Sequence, residues 1–231
     1  MSVSVLPRVV TVAFVFAGAA FAVGYAEDAQ ASFAWPKAMR GVNIILGRIT
    51  EADLEHLASD WKANSVRLMC GGFLANESPY AVDTEKVKRL EEVVGWCTRR
   101  GLYCVVNLGQ PQERNAGWFW LTPEAQRKFV ELWQTVARTH AGSGPGVAYD
   151  LMNEPHGTGS TEGWAQLVPE LTAAIRKVDQ VHPIVVEGPA WGNAEGFVGL
   201  TPLSTDANTV YSFHFYHPFD FTHQRGKAGT L

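Results

Sequence analysis

Charge is scarce in this chain, at 18% of residues, and it does not lean positive: Lys plus Arg number 19 against 23 Asp plus Glu. A nucleic-acid binder needs a basic surface to neutralise phosphates, so no nucleic-acid partner is expected. Cysteine is scarcer still. Three are too few for a disulfide scaffold, and an odd number cannot all pair within one chain. Cys70, Cys97 and Cys104 lie in apolar stretches without metal-ligand spacing. Buried thiols are expected, with one bridge and a leftover thiol as the alternative. The chain also lacks an internal repeat, a Ser/Pro-rich linker and a Gly-x-Ser-x-Gly elbow. The last absence argues against an open doubly wound serine hydrolase.

No apolar run reaches the ~20 residues that a membrane-spanning helix needs. The longest, Val9 to Val23, is broken only by Thr11 and Gly18. Arg8 precedes it, and Ala29-Gln30-Ala31 follows shortly after. That order of charge, apolar core and small residues is the pattern of a secretory signal. Residues 1–31 are therefore read as a cleaved signal peptide and 32–231 as one domain. The mature protein is expected to be secreted, extracellular or periplasmic, with no membrane partner after cleavage.

What the chain has in quantity is hydrophobic residues, at 46%, and aromatic ones, at 11% with Trp 8. Short apolar runs recur from Gly41 to Leu46, Ser65 to Cys70, Tyr103 to Leu108, Val147 to Met152, Ile184 to Glu187 and Val210 to His214. Runs without apolar/polar alternation suit strands buried on both faces. Helical patterns lie between them. Thr50 with Asp53 reads as a capping box. Val87, Leu90, Val94 and Cys97 form a stripe ending at Gly101, and Thr122-Pro123 reads as an N-cap followed by a first-turn proline. Leu167, Leu171, Ile175 and Val178 form a last stripe before Pro183. The Gly142 to Gly146 cluster precedes a strand and so reads as a turn, not a phosphate loop. Alternating strands and helices of this kind give a parallel α/β sheet, either open and doubly wound or a (β/α)8 barrel.

In both architectures function sits past the carboxyl ends of the strands. The second strand carries Arg67, a charge in an apolar run that is costly to bury unless paired, so it either holds a carboxylate or caps a structural pair. The fourth ends in Asp150-Leu151-Met152-Asn153-Glu154-Pro155-His156, and the sixth in His214-Phe215-Tyr216-His217-Pro218. Asn153-Glu154-Pro155 after a strand, Arg67 two strands earlier and His214-x-Tyr216 two strands later together resemble glycoside hydrolase family 5. Met39-Arg40-Gly41-Val42-Asn43, Pro189-Ala190-Trp191-Gly192 and Phe221-Thr222-His223-Gln224 extend the likeness from about Met39 to the end of the chain.

The resemblance implies a cellulase-like (β/α)8 barrel with about six of its eight β/α units present. It implies a glycosidase that cleaves a β-linked polysaccharide of the cellulose, β-glucan or mannan class by a retaining mechanism, without cofactor or metal. Glu154 would be the general acid/base, favoured in its protonated form by a nearby second carboxylate. Asn153 would meet the substrate 2-hydroxyl, Arg67 would support the nucleophile, and His214 and Tyr216 would border the cleavage point. The family nucleophile is a Glu at the end of a seventh strand, expected to be absent from a chain ending at Leu231. With the leader removed about 200 residues remain, against the ~250 of a typical barrel, so carboxyl-terminal truncation is expected.

Glu187 also ends a strand, but a structural or subsite role is expected of it. In Val105-Val106-Asn107-Leu108-Gly109, Gly109 stands where the family shows a histidine. Trp191, the Trp118-Phe119-Trp120 cluster, Phe219 and Phe221 offer flat faces on which a pyranose could stack, and Trp191 is read as substrate-binding. His214, His217 and His223 lack accompanying carboxylate or cysteine ligand spacing, so no metal is expected. The alternative function is a non-catalytic carbohydrate-binding remnant.

Overall fold

A computed structural model describes residues 36–111, 117–198, 200–203 and 206–223. The signal-peptide reading of residues 1–31, and Gln224, lie outside the described residues. Six strands alternate with helices: β1 (Gly41–Ile45), α1 (Glu51–Ser59), β2 (Ser65–Cys70), α2 (Thr84–Arg99), β3 (Tyr103–Gly109), α3 (Pro123–His140), β4 (Val147–Asn153), α4 (Ser160–Arg176), β5 (Ile184–Glu187) and β6 (Thr209–Ser212). All neighbours pair in parallel, and the order across the sheet is the order in sequence. A doubly wound sheet reverses its strand order at a switch point. This sheet does not, so its winding is that of a (β/α) barrel. Among the described residues β1 and β6 each pair on one side only.

Local chemistry sets the helix starts. Thr50 Oγ1 accepts the Asp53 N–H at 3.2 Å while Asp53 Oδ2 accepts the Thr50 N–H at 2.9 Å, closing the expected capping box on α1. Asp83 caps α2 by accepting the N–H groups of Glu85 and Lys86, both at 3.1 Å. Thr122 does stand before α3 with Pro123 in its first turn. Its hydroxyl, however, donates to the Trp118 carbonyl at 2.6 Å instead of capping the helix, because a 3-10 turn, Phe119–Leu121, runs directly into it.

Successive residues of a strand face opposite sides of the sheet. The outward set, including Leu68, Val106, Tyr149, Leu151 and Val186, joins Leu90, Val94, Phe129, Leu132, Trp133, Trp164 and Ile175 of the helices in the main core. Trp133 and Trp164 are wholly buried, and each indole N–H finds a strand carbonyl, Leu151 at 2.9 Å and Glu187 at 2.7 Å. Gly163 of α4 has no side chain because Trp120 lies across it: a Cβ there would meet the indole at 2.7 Å. Cys70, Cys97 and Cys104 are free, buried thiols, so none is bridged.

The inward set has two levels. Val105, Ala148 and Val185 make a small apolar cluster with Met39 and Val210. Two residues further along the same strands come Asn107, Asp150, Glu187 and Ser212, all buried. The registers align Asn107 with Asp150 and Glu187 with Ser212. A polar layer thus caps the apolar one at the carboxyl end of the sheet.

Near the opposite strand ends, below α3 and α4, the Asp179 carboxylate accepts from Tyr149 at 2.6 Å and pairs with His182 Nδ1 at 2.5 Å, while His182 Nε2 meets the Gly144 carbonyl at 2.7 Å.

Candidate active site

Arg67 is the hub of the polar layer, 3% exposed. Its Nε donates to Asp150 Oδ2 at 2.7 Å and one terminal nitrogen donates to Glu187 Oε1 at 2.6 Å. Both terminal nitrogens reach Asn153 Oδ1 at 3.2 Å. A buried guanidinium in an apolar strand thus finds the carboxylates it needs, and two of them. Burial alone would lower its proton affinity, but Asp150 and Glu187 outweigh it and raise it. Burial pushes Asp150 up to about 7 against the pull of Arg67. Asp150 Oδ1 and Asn107 Oδ1 have no hydrogen-bond partner.

Asn153 ends β4, and the turn after it places Glu154 in the left-handed region at φ 47. The Glu154 N–H donates to Glu187 Oε2 at 2.7 Å, and Glu154 Oε1 pairs with His214 Nδ1 at 2.6 Å. His214, just past β6, is buried. Its Nε2 lies 3.0 Å from Glu187 Oε1, without the alignment of a hydrogen bond. Burial would depress this imidazole, yet the Glu154 hydrogen bond and the Glu187 carboxylate outweigh it and hold it up to about 9. The ring thus lies between the carboxyl groups of Glu154 and Glu187. Tyr216 stands edge-on to it, centroids 6.1 Å apart. Burial, then the Glu154 charge, raises the Tyr216 phenol.

After β5, Ala190, Trp191 and Gly192 are all left-handed, with φ of 63, 65 and 67. Gly192 occupies a position where a Cβ would sit 3.0 Å from Glu187 Oε2 and 3.3 Å from Glu154 Cγ, so only glycine lets the turn approach so closely. The turn presents Trp191, 57% exposed, stacked on His156 with centroids 3.7 Å apart. A cleft of about 560 Å³ opens beside Glu154, walled by Trp191, Asn193, Tyr216, His217, Phe219 and His223. Phe219 and His223 form a second stack, 3.8 Å between centroids.

The structure therefore brings Arg67, Asn153, Glu154, Trp191, His214 and Tyr216 together at the carboxyl end of the sheet. It does not bring the Trp118 cluster there as an open platform. Phe119 and Trp120 are buried in the core, Trp120 donates to the His156 carbonyl at 2.7 Å, and Trp118 stacks on Tyr80. At Gly109 a Cβ would meet only Cys70 O and Gly71 Cα at 3.6 Å, so the backbone leaves room for a side chain that this chain does not carry. Asp150 is a site residue that motif reading passed over. Its signal was the one that singled out Arg67, a charge within an apolar strand. Among the described residues no group of three or more His, Cys, Asp or Glu is placed to hold a metal.

Comparison with known proteins agrees with this architecture. Endoglucanase Cel5A from Thermotoga maritima superimposes with a TM-score of 0.72 at 26% identity, over 83% of this chain and 64% of that one. Endoglucanase C of Acetivibrio thermocellus is 28% identical over 141 residues, 59% of this chain and 40% of that protein. Cellodextrinase A of Ruminococcus flavefaciens is 27% identical over 186 residues, 76% of this chain and 54% of that protein. The chain thus spans about half or less of the curated relatives it is compared with here. The family model described as cellulase, glycosyl hydrolase family 5, matches residues 27–230. With that match across nearly its whole length, the chain belongs to the cellulase family, glycosyl hydrolase family 5.

Proposed function

We propose that the protein is a secreted, retaining glycosidase that cleaves a β-linked glucan, with Glu154 as its general acid/base. The observation that carries this reading is the placement of Glu154, with Oε1 committed to His214 and the carboxyl group on the wall of the Trp191 cleft. That leaves Oε2 for the glycosidic oxygen. In the first step Glu154 gives its proton to that oxygen as the bond to the anomeric carbon breaks, and a second carboxylate attacks that carbon. In the second step Glu154 takes a proton from water as the water oxygen bonds to the anomeric carbon and displaces the second carboxylate, which frees the sugar. Asn153 supports the same reading: Arg67 occupies its Oδ1, which leaves its amide nitrogen as the donor for a sugar 2-hydroxyl.

Glu187 is not the attacking group in this scheme. It is wholly buried, and Arg67 and the Glu154 backbone engage both of its oxygens. We place the attacking carboxylate outside the described residues. The substrate class follows the relatives, which are named endoglucanases and a cellodextrinase, one of them solved in complex with cellobiose.

The test incubates the full-length protein with soluble barley β-glucan, counts new reducing ends, and follows the first anomer released by proton NMR. Net retention is expected. Glu154→Gln should lower turnover on the order of 10²- to 10⁴-fold. Glucan binding without new reducing ends would return the carbohydrate-binding remnant instead. For export, amino-terminal sequencing of the secreted protein should begin near Ala26 or Ala31; material starting at Met1 refutes the leader.

A further inference from the structure

One buried carboxylate contacts Arg67, Glu154 and His214 and is absent from the cleft wall. Glu187, at the end of β5, is 0% exposed. Its Oε1 accepts from Arg67 at 2.6 Å and lies 3.0 Å from His214 Nε2, while its Oε2 accepts the Glu154 N–H at 2.7 Å. Its own carbonyl is fixed by the Trp164 indole. Burying a carboxyl group is costly unless charge and hydrogen bonds answer it, and here the Arg67 guanidinium and the Glu154 N–H do.

These contacts converge on Glu154 by two routes. The first is the backbone: at φ 47 Glu154 holds a conformation that L-residues with large side chains rarely adopt. A charged acceptor on its N–H is the kind of surrounding that sustains such a turn. The second is the side chain, because His214, drawn to Glu187 through Nε2, grips Glu154 Oε1 through Nδ1. We infer that Glu187 is a positioning residue: its carboxylate, held by Arg67, anchors both the backbone of Glu154 and the ring that orients the Glu154 carboxyl, and so sets the aim of the proton donor. This rests on the reading of Glu154 as that donor.

Leaving groups separate positioning from a merely structural role. A 2,4-dinitrophenyl β-cellobioside departs without acid assistance, whereas a 4-methylumbelliferyl β-cellobioside has a poorer leaving group that benefits from a well-aimed proton. In the full-length protein, Glu187→Gln keeps size and removes charge, and Glu187→Asp keeps charge and retracts it. For Glu187→Gln the kcat/KM, which reports the first step in which the leaving group departs, should fall about tenfold or more further on the methylumbelliferyl substrate than on the dinitrophenyl substrate. Glu187→Asp should show the same selectivity, and it serves as the readout if Glu187→Gln does not fold.

Equal losses on both substrates, no loss on either, or unfolding of both variants would overturn the inference while leaving the glycosidase reading intact. If the unmodified protein turns over neither substrate, the glycosidase reading itself fails and this inference falls with it.

Discussion

The Trp191 indole lies flat against the His156 imidazole, with planes 12° from parallel, so one face of the tryptophan is backed and the other is left to the cleft. His156 is itself held, its Nδ1 2.6 Å from the Glu154 carbonyl and its own carbonyl bonded to Trp120. A stacking surface stiffened in this way loses little entropy on binding a sugar ring. Trp191→Ala should weaken binding of cellotetraose to the Glu154→Gln protein by roughly tenfold, about 1.5 kcal/mol. Titration calorimetry reads this, and an unchanged Kd would remove Trp191 from the binding surface.

Gly192→Ala should damage both stability and turnover. A left-handed alanine costs roughly 1–2 kcal/mol, and its Cβ would press on Glu187 and Glu154 as well. The expected result is a lower melting temperature together with a lower kcat on β-glucan. A protein that melts and turns over as before would show that the turn yields freely.

Trp164→Phe keeps the ring in the core but leaves the buried Glu187 carbonyl without its donor. The cost should be about 1–3 kcal/mol, against about 3–5 kcal/mol for Trp164→Ala. Urea unfolding monitored by circular dichroism gives both values, and a loss for Trp164→Phe as large as for Trp164→Ala would rule out the hydrogen bond as the distinction.

Stability should depend on pH through the Asp179–His182 pair. Burial alone would lower His182, but its bonds to Asp179 and the Gly144 carbonyl outweigh it and raise it. Burial alone would raise Asp179, but His182 and Tyr149 bring it below the usual carboxylate range. The His182 contribution is therefore full below the unfolded value of ~6.5 and is lost as pH rises through the raised folded value. The Asp179 contribution is full above ~3.9 and is lost as pH falls. Buried His140, lowered to about 4 chiefly by desolvation, acts in the opposite sense as pH falls. The difference in melting temperature between the unmodified protein and His182→Gln isolates the pair. It should be widest at about pH 5 to 6 and narrow toward pH 9; a constant difference would contradict the assignment.

Strand positions were legible because burial on both faces writes an uninterrupted apolar run, and Thr50 was legible because a capping box is local. Arg67 stood out because a charge inside such a run is costly. The partners of these residues were not legible: Arg67 meets Asp150 and Glu187 across separations of 83 and 120 residues, and no local pattern encodes that closure. The Trp118 cluster is ambiguous in sequence for a related reason. An aromatic triplet reads alike whether it rims a cleft or fills a core, and here Gly163 of a later helix makes the space that draws Trp120 inward. Thr122 had the right residue in the right place, yet the turn before it took its hydroxyl.

The two faces of β3, β4 and β5 answer to different partners, helices on one side and the Arg67 layer on the other. Because neighbouring residues on a strand alternate between them, these demands are interleaved in sequence yet separate in space. Positions such as Val105 and Asn107 can drift together with the chemistry they serve, while Cys104 and Val106, one step away, remain bound to the helical shell. Reshaping this interior therefore means editing alternate letters of each strand and leaving the intervening ones alone.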